Sequence, residues 1–186
     1  MKMLDLAQYN QIKKKYGKTA SWAIWANEGK APKSHTDDLS VFNNVDIYKK
    51  LNPNYVLVGL NPSVQDTNEE PWRNFHSTDT KRQNDYKLRY TLQNTKFWGA
   101  YITDLNHKKE TNSNKVTISD EDIYLFKHEI ALLGTKPVLI ALGNKVYEAL
   151  SKYLSNEYKI VKIQHFACYI SKEAYRESVL KELTKI

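Results

Sequence analysis

Short apolar runs alternate with amphipathic segments from residue 55 to the end of the chain, and this alternation constrains the fold most strongly. Each run is too short for a helix and is rich in residues that favour strands. The runs span residues 55–60, 98–103, 137–142 and 158–163. Helices are predicted between and after them, at residues 81–93, 118–133, 145–154 and 172–185. Strands that alternate with helices form parallel sheets covered on both faces, so we predict a three-layer α/β/α fold around a four-stranded parallel sheet.

The first part of the chain has a different pattern. Residues 3–16 and 20–28 are predicted to be helical. A chain of 186 residues suits one domain with a substantial core. We therefore predict a single domain in which residues 1–54 form a helical extension packed on a core of residues 55–186.

Composition limits the compartment and the chemistry. No apolar stretch approaches the roughly 20 residues of a membrane span, and residues 1–17 lack the apolar centre of a secretory signal. Cys168 is the only cysteine, which excludes an internal disulfide and a metal site made of cysteines alone. The histidines lack the spacing of metal ligands. We expect a cytoplasmic monomer that uses no metal and no cofactor and does not bind a membrane.

The chain is basic. Its 28 Lys and Arg residues exceed its 21 Asp and Glu residues, which gives a formal net charge of +7. This excess favours polyanionic partners such as DNA, including single-stranded or mismatched DNA. A lysine-rich solvated surface explains the same charge equally well.

Polar side chains follow every predicted strand. These strand ends are residues 61–63, 104–106, 143–144 and 164–166. In open parallel sheets, ligands bind outside the carboxyl ends of the strands. We therefore expect a ligand site to be built from these segments.

Together the strand ends resemble motifs of the uracil-DNA glycosylase superfamily, and most closely its mismatch-specific uracil/thymine branch. Gly59-Leu60-Asn61-Pro62-Ser63 is similar to the first motif of that branch, and residues 137–148 are similar to its strand-to-helix turn. His165 matches the last motif, but Phe166 and Ala167 replace its proline and serine. The resemblance implies a sheet order of 2-1-3-4, counted over the four predicted strands, and hydrolysis of the bond between a flipped base and its sugar.

The resemblance also implies roles for individual residues. Asn61 would position the attacking water, because an amide can orient water but cannot remove its proton at neutral pH. His165 would donate a hydrogen bond to the leaving base as a neutral imidazole. Phe166 could act as an apolar wedge between bases. The structural alternatives are that Asn61 and Pro62 only shape a loop and that His165 is an ordinary packed histidine.

The segment after the first motif mixes aromatic and basic residues. Trp72, Phe75 and His76 lie among several cations, and the resemblance makes Phe75 the candidate for stacking on the base. The expected DNA contacts are Arg73, Lys81, Arg82, Lys87, Asn144 and Lys145. The alternative is a loop packed by its own Trp and Phe.

Base choice is expected at the end of the second predicted strand, at Asp104. An ionised Asp104 only accepts hydrogen bonds, so it would repel the O4 of uracil and could accept an amino group such as the cytosine N4. Asn106 would recognise the base instead if the alignment with the family motif is shifted by two residues. The remaining substrate contacts are expected from Gly59, Leu60, Pro62 and Ser63.

Three functions are compatible with these residues. The first is a DNA glycosylase acting on a uracil-like, mismatched or modified base. The second is a catalytically silent member of the same fold that binds nucleic acid or a nucleotide. The third is a hydrolase of modified nucleosides.

Overall fold

The structure is a computed structural model, and it describes residues 3–26, 36–62, 70–77 and 84–186. Three of the predicted site residues, Ser63, Lys81 and Arg82, lie outside the described residues.

Within the described residues, five strands form one mixed sheet in the order β1-β3-β2-β4-β5. They are β1 (Ala20–Trp22), β2 (Asn52–Gly59), β3 (Ala100–Asp104), β4 (Val138–Leu142) and β5 (Ile160–Ile163). Strand β2 pairs in parallel with both β3 and β4, and β4 pairs in parallel with β5. The predicted α/β class is confirmed. The whole sheet differs from the predicted four-stranded parallel sheet because a fifth, antiparallel strand, β1, is added beside β3, whereas the four predicted strands keep the relative order 2-1-3-4.

The difference arises at β1, which was predicted to be part of a helix spanning 20–28. Instead, Ala20, Ser21 and Trp22 pair antiparallel with the end of β3. All three residues are buried, and the Trp22 ring meets the ring of Tyr101 edge-on at 4.8 Å. Pairing with β3 satisfies backbone groups that an open sheet edge would leave unbonded, and this tertiary gain overrides the weak local helical preference.

Helices cover both faces of the sheet. They are α1 (Leu6–Tyr16), α2 (Tyr86–Leu92), α3 (Asp120–Ala131), α4 (Asn144–Leu154) and α5 (Lys172–Leu183). Short 3₁₀ helices lie at Ser40–Asn43, Ile47–Lys50 and Ser113–Lys115. Side chains of α1, α3 and α4 pack in one buried cluster and those of α2 and α5 in another. Alternate residues of the central strands enter opposite clusters, as Val56 and Leu57 do, because successive side chains of a strand point to opposite faces.

Local sequence accounts for several helix ends. Asp5 is the N-cap of α1 and Ser119 is the N-cap of α3, and each forms a reciprocal capping box with the residue three positions later. Acidic residues fill the first turn of α3, where the helix dipole favours negative charge. None of the helices in the described parts of the chain is both long and apolar enough to span a bilayer.

Candidate active site

A cavity of about 540 Å³ lies outside the carboxyl ends of the parallel strands. This volume falls in the range of small-molecule sites. Four of the strand-end segments contribute to its lining, together with the segment that precedes α2. The lining residues include Leu60, Asn61, Pro62, Asn74, Phe75, Asn84, Asp85, Asp104, Glu110, Gly143, Asn144, Lys145, His165 and Phe166.

Asn61 lies just after β2 and is held by its side-chain amide. Its Nδ2 donates to the carbonyl oxygen of Glu110 at 2.7 Å and to that of Pro62 at 3.0 Å. Both amide protons are therefore used by the main chain. The described residues supply no donor to Oδ1, so the group that Asn61 can offer to a water or ligand is an acceptor.

Phe75 reaches the cavity through an unusual backbone conformation. Its φ is 64°, in the left-handed region that bulky residues rarely occupy, and Trp72 has a φ of 71°. Such strain persists only where surrounding contacts enforce it, and it is found preferentially at functional sites. Here the turn directs Phe75 to the cavity, where its ring meets the Phe166 ring edge-on at 6.4 Å.

The N-terminal part of the chain holds this turn in place. The N–H of Trp72 donates to the carbonyl of Gly17, and its indole N–H donates to the hydroxyl of Tyr9 at 2.9 Å. Nε2 of His76 lies 2.9 Å from the carbonyl oxygen of Ile24. Burial lowers the pKa of His76 to about 4, so its ring is neutral near pH 7. Trp72 and His76 are thus packed in the interior of the protein, whereas Phe75 lines the cavity.

His165 follows β5 and its neutral tautomer is set by the backbone. The N–H of Ala167 donates to Nδ1 at 3.1 Å, so the ring proton resides on Nε2. Burial lowers the pKa of His165 below its usual value. The ring stacks on Phe166 at 4.3 Å. His165 therefore presents a neutral N–H donor, which is the form expected for a hydrogen bond to a base carbonyl.

Asp104 ends β3 and is almost completely buried at the cavity wall. Its Oδ2 accepts from Nδ2 of Asn74 at 3.1 Å. Burial raises the pKa of Asp104 to about 7, with Asn74 and His107 opposing the shift and Glu129 adding to it. Near pH 7 the acid and its anion are therefore both populated, so the ionised form is one of two that must be considered.

A second buried acid lies behind Asp104. Glu129 of α3 accepts from the Tyr101 hydroxyl at 2.8 Å through Oε1, and its Oε2 lies 3.3 Å from Nε2 of His107. Burial alone would lower the pKa of His107, but Glu129 and, after it, the charge and main-chain carbonyl of Asp104 together raise the pKa. This pair does not line the cavity.

Sequence reasoning missed Asn74 and Asp85. Asn74 links the cavity to the N-terminal part, because its Nδ2 donates to the carbonyl of Thr19 as well as to Asp104. Asp85 accepts from the N–H groups of Ser77 and Tyr86, and burial raises its pKa to about 6. In the sequence, Asn74 is only a polar residue beside Phe75 and Asp85 only an acid before α2. Neither feature predicts a cavity without the tertiary structure.

Other predicted residues have different placements. Asn106 does not line the cavity; it is buried, donates to Thr117 and accepts from the N–H of Lys108. Lys87 is buried and donates to the carbonyl of Cys168, so the expectation that it meets phosphate is wrong. Arg73 donates to the carbonyl of Asp37 and pairs with Glu70.

Two predicted DNA contacts do lie at the cavity. Asn144 is exposed and accepts from Nζ of Lys162 at 3.0 Å. Lys145 is also exposed, but its Nζ donates to the carbonyls of Ser113 and Val116. The lysine therefore braces the loop at Ser113–Lys115, and only its remaining proton is available to a ligand.

Comparisons of the chain with family models, with curated proteins and with solved structures find no match. The function is therefore inferred from the chemistry of the cavity and from the resemblance of the strand-end motifs.

Proposed function

We propose that this protein hydrolyses the N-glycosidic bond of a flipped uracil-like, mismatched or modified base in DNA, on a fold like that of uracil-DNA glycosylases. The observation that carries the proposal is the convergence of Asn61, Phe75 and His165 on one cavity. Asn61 and Phe75 come from the first half of the chain and His165 from its last part, so the fold brings them together at this cavity.

The polarity of each group suits this reaction. Departure of the base leaves negative charge on the base and positive charge on the sugar, so donors are needed at the base and an acceptor at the water. His165 supplies an N–H donor and Asn61 an oxygen acceptor. Phe75 supplies a ring on which a base extracted from the helix could stack.

The test is to incubate the protein with oligonucleotides that carry uracil, mismatched thymine, hypoxanthine, xanthine or cytosine, and to measure abasic sites. Asn61→Ala should slow excision by about 100-fold or more, as expected when one positioning group is removed. Asn156→Ala is the matched control, because Asn156 is exposed in the turn after α4 and does not line the cavity. Absence of abasic sites on every substrate would overturn the proposal.

A nucleoside hydrolase is the second candidate, and the placement of the basic residues favours it. Arg73, Lys87 and Lys145 were expected to contact phosphates, yet each donates to main-chain carbonyls of the protein. A nucleoside needs no phosphate contacts. Salt titration separates the two candidates, because loss of each phosphate contact reduces the slope of log affinity against log salt by about one. Binding insensitive to salt, with hydrolysis of free nucleosides, would favour the second candidate.

A further inference from the structure

The carboxyl group of Asp104 and the ring of Phe75 both lie next to Gly59, and their positions determine how a planar ligand would lie. A Cβ atom added to Gly59 would be 2.2 Å from Oδ1 of Asp104 and 3.3 Å from Cζ of Phe75. The ring and the carboxyl group are thus adjacent across the last residue of β2. A planar ligand stacked on Phe75 would direct one edge at the carboxyl group of Asp104.

Asn74 makes the two carboxyl oxygens of Asp104 different. Its amide proton is donated to Oδ2, which must therefore act as an acceptor. In the neutral acid the proton then resides on Oδ1, the oxygen nearest Gly59. The neutral group presents an O–H donor beside a carbonyl acceptor, the same pair that a side-chain amide presents.

Building on the proposed function, we propose that Asp104 reads the base as a neutral carboxylic acid and thereby selects a lactam edge, in which C=O and N–H are adjacent. Oδ1–H donates to the carbonyl oxygen of the base, and Oδ2 accepts from the neighbouring N–H. Uracil and 6-oxopurines carry this edge. The ionised form lacks the donor and instead suits an amino group such as the cytosine N4.

The surroundings of Asp104 favour the neutral form. Burial raises its pKa to about 7, and the charge of Glu129 on α3 acts in the same direction. His107, which follows β3, opposes the shift. Among the described residues that line the cavity, the other titratable groups are Asp85, Glu110, Lys145 and His165. A lactam ligand binds only the neutral form, so its binding is coupled to uptake of a proton.

The test is a titration of the intact protein with uracil and with cytosine, each methylated at N1, at pH 6.5 and pH 8.5, followed by NMR. The N1-methyl group removes the N–H that a nucleoside also lacks, so the methylated cytosine carries no lactam edge whereas the methylated uracil keeps one at N3. Apparent affinity scales with the competent fraction, so uracil should bind about 25-fold more weakly at the higher pH. Cytosine should not weaken in this way. Asp104→Asn carries a permanent donor and acceptor, so it should bind uracil equally well at both pH values. Because Asp85 and His165 remain in this variant, the difference from wild type isolates Asp104.

Wild-type affinity for uracil that is absent or independent of pH would overturn the role of Asp104. Such a result together with excision of uracil from DNA would leave the proposed function intact. Proton-linked uracil binding without any abasic site would support the Asp104 inference and overturn the proposed hydrolysis. The two experiments therefore fail independently.

Discussion

Asp104 and Glu129 are both buried acids, with 3% and 1% of their surface exposed, but their surroundings differ. Glu129 accepts from the Tyr101 hydroxyl and faces the imidazole of His107. Asp104 has one described side-chain donor, the amide of Asn74, and it lines the cavity. The partners of Glu129 are internal to the protein, whereas a ligand can still supply a partner to Asp104.

A buried acid can serve the stability of the fold, as Glu129 does, or be available to a ligand, as Asp104 is. An ionised buried acid is tolerated when hydrogen bonds and opposite charge compensate for lost hydration. A buried acid with few partners is instead protonated or becomes stabilised when a ligand binds. Acids with pKa values raised in this way are concentrated at active sites. Removing the two carboxylates should therefore change stability in opposite directions.

Substitution of Glu129 should destabilise the protein more than any other substitution considered below. Glu129→Ala leaves the Tyr101 hydroxyl and the His107 ring without their buried partner, so it should lower the free energy of unfolding by about 3–5 kcal/mol. Urea denaturation at pH 7 measures this change. Glu121→Ala, at an exposed position in the first turn of the same helix, should change it by only about 0.5 kcal/mol. Equal losses at the two positions would show that the Glu129 pair contributes nothing specific.

Asp104→Asn should raise the free energy of unfolding, and the increase should be larger at high pH. The pKa of Asp104 is raised to about 7 in the folded protein, so between pH 4 and pH 7 the folded state holds more protons than the unfolded chain. The free energy of unfolding therefore falls as pH rises through this window. Asparagine has no such titration, so the stability of the variant relative to wild type should rise by about 2–3 kcal/mol from pH 5 to pH 8.

Denaturation curves for both proteins at several pH values test this difference. His76 acts in the other direction, because its pKa of about 4 makes acidification destabilising between pH 6.5 and pH 4. It is present in both proteins, so its contribution cancels in the comparison. A stability difference that stays flat from pH 5 to pH 8 would mean that Asp104 titrates normally and resembles an exposed acid.

Gly59→Ala tests the contact between the strand and the Asp104 carboxyl group. The new methyl group would overlap Oδ1, so the carboxyl group must move, and overpacking of this kind costs about 1–3 kcal/mol. Asp104→Ala removes the atom that clashes. A double-mutant cycle should therefore show that Gly59→Ala is milder in the Asp104→Ala background by about 1 kcal/mol or more. Additive effects would mean that another neighbour, such as Phe75, determines the cost.

Much of the sheet could be predicted from the sequence because buried parallel strands are short and continuously apolar. That pattern located β2, β3, β4 and β5 and directed attention to their polar ends. Residues 20–22 gave no such signal, because their strand conformation depends on pairing with β3, far away in the chain.

The site was predictable only in part, for the same reason. Asn61 and His165 stand next to recognisable strands, and Phe75 could be placed by resemblance. Asn74 is indistinguishable in sequence from any polar loop residue until Thr19 and Asp104 are brought to it. The protonation of Asp104 depends on burial, which residue type alone cannot reveal. Lys87 shows the converse, since its charge suggested DNA and its position assigns it to an internal carbonyl.

His107 faces Glu129, and its substitution should change the free energy of unfolding less than the substitutions above. Burial opposes protonation of this ring, but Glu129 and, to a smaller extent, Asp104 raise its pKa above the unfolded value. The stabilisation from the charged pair is therefore fully present below about pH 6.5 and is lost as pH rises through the folded pKa. His107→Gln should lower the free energy of unfolding by about 1 kcal/mol at pH 5.5 and by less at pH 9. In the Glu129→Ala background the same substitution should lose most of this pH dependence, and the remainder comes from the charge and the main-chain carbonyl of Asp104. A pH dependence that is undiminished without Glu129 would show that Asp104, and not Glu129, is the main cause of the raised pKa of His107.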